Sequence, residues 1–407
     1  MAYLHWPIVA SKHAWPLSRY CEQDRGVSVG PTSEVVVLRK LLCAVACFAS
    51  PSLLLAQAPA SGVTIHGFGS WAFGKTGANV FLAGTPEGDF RHVSMALDFG
   101  AKVDEKLSIH TQVEVKENED GSHPALSYAF AEYAVSDALT ILVGQVKHPF
   151  GIYTEVSSVS TLRPFLDLPQ GFYGPSGFAG ESYKGLGISG TAAVRDWTLD
   201  YDVYGGGTDQ TRFVVPERYF RGGDLQNVAQ ENELQSTRNV AGGRLVVSAP
   251  VTGLRFGASA YTGTLNEPAS NRRTVFAGQI GYRSNAWTLE SEVAREVQQN
   301  DERATGGYVL AAYRLTPEWQ FAVHADRLRS TLAGVDPSSA PSLQTHEERA
   351  FAVSYWVSRS LVVKAEYHHV NGNRFALPHP EDLLSVIAAN QLRTRTHLFQ
   401  FGGQFSF

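Results

Sequence analysis

Along this chain, apolar and polar side chains alternate one by one in short runs separated by turn residues. In 106–116, Leu107, Ile109, Val113 and Val115 alternate with Lys106, Ser108, His110, Gln112, Glu114 and Lys116. In 286–296, Trp287, Leu289 and Val293 oppose Thr288, Glu290 and Glu292. The same pattern runs through 318–326 (Trp319, Phe321, Val323 and Ala325 against Gln320, His324 and Asp326) and 360–369 (Leu361, Val363, Ala365 and Tyr367 against Lys364, Glu366 and His368). A period of two sends neighbouring side chains to opposite sides, so each run predicts a strand with one greasy and one wet face. In the final stretch, 396–407, Phe399, Phe401, Phe405 and Phe407 share one parity and Thr396, Leu398, Gln400, Gln404 and Ser406 share the other.

Sixteen such segments follow one another: 62–73, 90–103, 106–116, 125–135, 138–147, 183–194, 196–205, 239–249, 253–263, 273–284, 286–296, 305–315, 318–329, 347–358, 360–370 and 396–407. Their lengths suit tilted strands that cross a bilayer. The connections alternate. Short ones (Asp104-Glu105, Ser136-Asp137, Arg195-Asp196, Pro250 to Thr252, Asn285, Thr316-Pro317, Arg359) carry turn formers; long ones run over 74–89, 117–124, 148–182, 206–238, 264–272, 297–304, 330–346 and 371–395. Tight turns at one rim and long loops at the other predict an all-β, transmembrane, antiparallel up-and-down barrel of about 16 strands. Its last strand, 396–407, is expected to close against 62–73. Aromatics gather towards strand ends (Phe68, Trp71, Phe73, Tyr133, Trp197, Tyr201, Tyr204, Trp287, Tyr308, Trp319, Tyr355, Trp356, Tyr367), where amphipathic rings form interfacial girdles.

The polar parity then faces a hydrated lumen. It offers Arg244, Arg255, Arg283, Arg314 and Lys364 beside Glu114, Asp200, Asp202, Glu290, Glu292, Asp326 and Glu366. A mixed set of this kind filters ions through a transverse field or pairs across strands to solubilise the wall.

Composition narrows the class. The 407 residues are 43% hydrophobic and only 18% charged, with 38 glycines. The net charge of −5 and the absence of a basic run give no reason to expect nucleic acid as a partner. Only Leu41–Leu55 forms an apolar run of note; Arg39-Lys40 precedes it and the small residues Ala56, Ala58 and Ala60 follow. That is the layout of a signal peptide over 39–60, cut after Ala60. Residues 1–38 have no place in such a leader and read as an upstream extension from a misassigned start, which leaves 61–407 as the barrel. Cys21, Cys43 and Cys47 all precede the cut, so the mature chain carries no thiol chemistry.

One connection stands out. After Lys147 the chain reads His148-Pro149-Phe150-Gly151-Ile152-Tyr153-Thr154-Glu155, and 148–182 goes on through Arg163-Pro164-Phe165, Leu168-Pro169 and Gly171-Phe172-Tyr173-Gly174-Pro175. Pro149 stops a ladder and Gly151 permits a sharp redirection. The rest is too apolar for a free loop in water, and the lumen is the place left to bury it. The passage Gly144–Glu155 resembles the third-hairpin region of Gram-negative porins related to the phosphate-selective porins O and P, and the terminal phenylalanine is similar to the assembly signal of outer-membrane barrels. The resemblance implies a sixteen-stranded homotrimer whose inward-folded loop after the fifth strand forms the constriction. Candidate constriction residues are then Lys147, Arg163, Glu155, Asp167 and Lys184. Phe399, Phe401, Phe405 and Phe407 would close the barrel and engage the barrel-assembly machinery.

Enzyme signatures are weak. His368 and His369 are adjacent, which in a strand sends the rings to opposite faces. Gly185-Leu186-Gly187 and Gly205-Gly206-Gly207 lack a strand-to-helix phosphate-loop setting, and His66-Gly67-Phe68-Gly69-Ser70 lacks nucleophile-elbow spacing. No catalytic, cofactor or metal site is expected. The reading is an outer-membrane porin, seated in lipid, that passes small hydrophilic solutes or ions passively, anions such as phosphate among them. The alternative is an outer-membrane barrel enzyme acting on lipid, or an adhesion barrel without channel activity.

Overall fold

The computed structural model describes residues 62–90, 93–118, 121–136, 138–175, 177–214, 231–266, 271–299, 302–331, 341–376 and 393–407. The expected leader, with its boundaries at 38 and 60, lies outside the described residues.

The strands are β1 (Val63–Thr76), β2 (Gly84–Thr85), β3 (Ser94–Lys102), β4 (Leu107–Asn118), β5 (Gly121–Ser136), β6 (Leu139–Lys147), β7 (Ser182–Val194), β8 (Trp197–Val214) and β9 (Glu231–Ser248). They continue as β10 (Leu254–Leu265), β11 (Arg272–Arg283), β12 (Trp287–Gln298), β13 (Arg303–Arg314), β14 (Trp319–Thr331), β15 (Thr345–Ser358), β16 (Leu361–Asn371) and β17 (Arg395–Ser406). β2 is a two-residue piece inside the β1–β3 connection, paired in parallel with Gly74 and Lys75. From β3 to β17 each strand pairs antiparallel with the next, and β1 pairs with both β3 and β17. The result is a closed antiparallel barrel of sixteen strands, at the positions the alternation predicts.

Alternation sets the two faces. On four neighbouring strands, Val293 (58% exposed), Val309 (57%), Val323 (50%) and Phe351 (45%) lie outside, while Glu292 (2%), Tyr308 (3%), His324 (5%) and Ala350 (6%) lie on the opposite parity. An apolar outside and a polar inside reverse the soluble pattern, as lipid on the outside requires.

Aromatic pairs mark the short-turn rim. Trp287 and Tyr313 are register partners with ring centroids 4.6 Å apart, and Trp319 and Tyr355 are partners at 4.9 Å. Three rings expected at the girdle are buried on the inner parity instead: Phe68, Tyr204 and Tyr308. Two long loops are also shorter than expected. β4 runs to Asn118 and β5 resumes at Gly121, while β8 and β9 extend to 18 residues each. Crossing the bilayer takes about 9–11 residues, so the surplus carries the ladder past the membrane, where polar residues on both faces hide the strand signal.

The closing seam is β1 against β17, in register from Phe68↔Ser406 to Thr76↔Leu398. Gly67 and Phe407 extend it by exchanging backbone hydrogen bonds, Gly67 N to Phe407 O at 3.0 Å and Phe407 N to Gly67 O at 2.9 Å. Here glycine does steric work. A Cβ on Gly67 or Gly69 would meet the Phe407 or Phe405 ring at 2.1 or 2.3 Å, so the missing side chains leave the space into which those rings fold. The sequence spaces Gly67/Gly69 and Phe405/Phe407 by two, which puts both pairs on one face.

A chain ending before Arg395 should leave β1 and β16 with unpaired edges and yield no heat-modifiable folded band on unboiled gels. Phe405→Ala with Phe407→Ala should lower barrel stability by about 1 kcal/mol, the scale of lost cross-strand pairs, read from urea unfolding in detergent.

Candidate functional site

Residues 148–181 form the connection whose hydrogen bonds run to inner-face side chains of several strands. β6 ends at Lys147, and Gly151 takes φ +66 at the redirection, in contact range of Glu292 and Tyr173, where a Cβ would collide with both. The segment is built from single turns, Thr154–Val156 and Ser160–Leu162, and a four-residue helix, Gln170–Tyr173. Its two ends meet where His148 N donates to Glu181 O at 3.1 Å. Lys147 Nζ reinforces that junction by donating to Glu181 Oε1 at 2.6 Å and Ser127 Oγ at 3.0 Å. His148 Nε2 lies 2.6 Å from Tyr204 Oη. Burial pushes this imidazole down to about 3, although a backbone bond at Gly180 works against it; the ring is therefore neutral at pH 7.

Beyond the junction, the segment's partners are inner-face side chains on strands around the ring. Ser158 Oγ donates to Gln112 on β4 at 2.9 Å. On β12, Ile152 N donates to Glu292 Oε1 at 2.9 Å, and the Tyr153 and Tyr173 hydroxyls donate to Glu290 and Glu292. Glu155 pairs with Arg244 on β9, which also binds Asp202 on β8 at 2.8 Å. On β16, Lys364 Nζ donates to Arg163 O at 2.6 Å and Phe165 O at 3.2 Å, and Glu366 Oε1 accepts from Leu166 N at 2.5 Å. On β17, Gln404 Nε2 donates to Leu166 O at 3.3 Å and Gln400 Nε2 to Asp167 Oδ2 at 3.3 Å. On β10, Tyr261 Oη donates to Phe178 O at 2.5 Å. Carboxylates and lysine on a strand wall thus hold the loop's backbone, and charge-assisted bonds of this kind are the strong class.

Close packing does the rest. The Gln170–Tyr173 helix lies on the inner wall of β13 and β14, backbone against backbone. A Cβ on Gly171 would stand 2.8 Å from the Arg327 backbone, and one on Gly306 would stand 2.1 Å from Gly171 O. Phe150, Phe165, Phe172 and Phe178 are buried as the apolar body of the segment. A cavity of about 200 Å³ remains beside it, lined by Lys116, Thr154, Ser157, Tyr173 and Glu181 among others.

The candidate residues therefore divide. Lys147, Glu155, Arg163 and Asp167 all belong to this network. Lys184 does not. It shares the outer parity of β7 with Leu186 and Ile188, is 62% exposed, and pairs with Asp209 at 2.9 Å. As a strand residue it obeys the period of two, and proximity in sequence to the loop is no guide to its direction. Glu114, Glu290, Glu292, Asp326, Lys364 and Glu366 are buried on the inner parity. Arg244 binds Glu155 and Asp202 there, and Arg283 binds Glu290 at 2.5 Å. Arg255 stands near the short-turn rim, 3.5 Å from Asp200, and Arg314 lies over the Trp356 ring at 5.4 Å. Two further cations share the inner face. Lys116, on the polar parity with Glu114, lines the cavity, and buried Arg273, on the parity of Arg283, binds Glu296 at 2.8 Å.

A closed sixteen-stranded barrel with a lipid-compatible outside and a charged inside defines an outer-membrane porin channel. The chain matches the sequence profile described as phosphate-selective porin O and P over residues 83–329, and it belongs to that family. Solved structures share the fold at low identity. An anion-selective porin from Comamonas acidovorans is similar at 10% identity and TM-score 0.53, over 85% of this chain and all (100%) of that one. The outer membrane channel DcaP of Acinetobacter baumannii matches at 10% and 0.53, over 87% and 100%. Salmonella typhi OmpF, solved in complex with daunomycin, matches at 13% and 0.52, over 85% and 98%. No curated protein matches in sequence.

Gly306→Leu should displace the 170–173 helix from the wall and change single-channel conductance in planar bilayers by about twofold or more, through altered packing. Gly278→Ala, at a position with nothing within 4 Å of a new Cβ, should leave conductance unchanged.

Proposed function

We propose that this porin passes small hydrophilic solutes passively, that residues 148–181 cross the lumen to form its constriction, and that it discriminates weakly between anions and cations. The observation that carries the last point is the pairing of inner-face cations with carboxylates: Lys147 with Glu181, Arg244 with Glu155 and Asp202, Arg273 with Glu296, and Arg283 with Glu290. A phosphate-binding ladder needs basic groups free to exchange water for an anion, and cations already held by carboxylates are poor rungs. Solutes would pass the cavity beside Lys116 and Glu181, which offers both signs of charge. This reading sets the chain apart from the phosphate preference in its family's description, and it invokes no catalytic step or cofactor. Export through a signal peptide cleaved near Ala60, insertion by the barrel-assembly machinery through the Phe399–Phe407 strand, and assembly as a homotrimer complete the proposal; the N-terminal peptide of the mature protein and chemical cross-linking test the first and last.

Reversal potentials in a potassium chloride gradient provide the functional test. The expected permeability ratio stays within about a few-fold of unity, and an anion preference above about tenfold contradicts the proposal. Arg244→Ala, which leaves Glu155 and Asp202 facing each other without their cation, should move the ratio towards cations. A barrel that inserts but never conducts would favour the enzyme or adhesion reading.

A further inference from the structure

Three neighbouring strands carry inner-face pairs of histidine and carboxylate spaced by two: His324 and Asp326 on β14, His346 and Glu348 on β15, Glu366 and His368 on β16. The register stacks them. Asp326 faces Glu348 across β14–β15, and His368 sits opposite Ala350, one inner-face step from Glu348, across β15–β16. All six residues are buried.

Glu348 is the hub, and its two oxygens look to different partners. Oε1 lies 3.4 Å from His324 Nε2 and 2.5 Å from His368 Nδ1. Oε2 lies 3.2 Å from His346 Nε2, which is 3.0 Å from Asp326 Oδ1. Asp326 Oδ2 is 3.5 Å from His324 Nε2. Despite this crowding, His324 Nε2, His346 Nε2, both Asp326 oxygens and Glu348 Oε2 are buried without a hydrogen-bond partner among the described residues. The atoms are near one another but not aligned for hydrogen bonding. Orphaned buried polar atoms in such number are costly, and buried carboxylates need a counter-charge.

We propose that this cluster binds a divalent transition-metal ion of the Zn²⁺ class, with Glu348 as the shared ligand, His324 and His368 completing one side, and His346 and Asp326 the other. Imidazole nitrogen and carboxylate oxygen are the ligands such ions take at about 2.0–2.2 Å, and two ligands on one ion then stand about 3–3.5 Å apart. Four of the five separations above fall in that range; the 2.5 Å contact would open slightly. A second sphere is present. His368 Nε2 lies 3.1 Å from Glu366 Oε2, and Glu366 Oε1 accepts from Leu166 N at 2.5 Å. A carboxylate behind a ligating histidine fixes its ring and raises its basicity. Rings of Phe165, Phe375 and Phe81 cover the cluster, with centroids 4.5 Å from His324, 4.9 Å from His346 and 5.8 Å from His346. An apolar cover excludes competing water. Because Phe165 and Leu166 belong to the 148–181 segment, a bound ion would clip that segment to β14–β16.

The test uses the full chain folded in detergent with Zn²⁺ or Co²⁺ and then gel-filtered without metal. At least about one equivalent of Zn²⁺ should remain per chain, and the Co²⁺ form should show d–d absorption of a nitrogen–oxygen site. Glu348→Gln, and separately His324→Ala with His346→Ala, should lower retained metal by about tenfold or more while heat-modifiable migration reports intact barrels. Lys184→Gln on the outer face should keep it. Wild-type protein that retains no metal and gives no Co²⁺ band overturns the proposal, whatever the variants do; so does retention undiminished in a folded Glu348→Gln barrel.

Discussion

No peptide N–H or C=O can be left unpaired in hydrocarbon, where each unsatisfied group costs several kcal/mol. A sheet meets that demand only by closing on itself, and here closure rests on one seam, β1 against β17. The seam fixes the register, and the register decides which parity meets lipid. Shifting it by one residue would turn Phe399 and Phe401 inwards and Gln400 and Gln404 outwards. The glycines at 67 and 69 let Phe405 and Phe407 lie flat along that seam. Everything inside the barrel, including the placement of charge, follows from that choice.

A sixteen-stranded ring encloses more space than its own side chains fill. The segment after β6 bonds to inner-face side chains, and its chemistry matches theirs on two levels. Phe150, Phe172 and Phe178 pack together and Phe165 packs on His324, while the segment's backbone groups find carboxylates, amides and lysine on the wall, such as Glu292, Glu366, Lys364 and Gln404. Burying these wall charges would be unfavourable without partners; here each supplies a hydrogen bond that an irregular backbone needs away from bulk water. Glycines at 151, 171 and 306 allow the approach.

The strands were legible because the period of two is strong wherever one side of a strand faces lipid and the other faces water. Sixteen segments are readable in the sequence, and the differences lie at strand ends, between β4 and β5 and at β8 and β9, where the ladder runs on and polar residues occupy both faces. The loop's apolar content points to burial, and its hydrogen bonds run to inner-face side chains such as Glu292 and Lys364. Individual directions were not legible in that way. Lys184 reads as part of the loop by sequence distance, yet strand parity puts it outside. The histidine–carboxylate cluster escaped for a different reason. Its members are distant in sequence, and histidines taken singly look scattered. The signal lies in the repetition of His324-Ala325-Asp326, His346-Glu347-Glu348 and Glu366-Tyr367-His368 on the inner face of consecutive strands, which appears only once the register is known.

In the proposed function, the segment between Lys147 and Ser182 sets the width of the pore. His148 N and Glu181 O are 3.1 Å apart, so a short glycine–serine link can replace 150–179 without straining β6 or β7. Single-channel conductance of that shortened protein in planar bilayers is the most direct measurement. A rise of about severalfold over the intact chain, with heat-modifiable migration preserved, is the predicted result, since removing a constriction widens the path for ions. Unchanged or lower conductance from a folded, inserted barrel would contradict it.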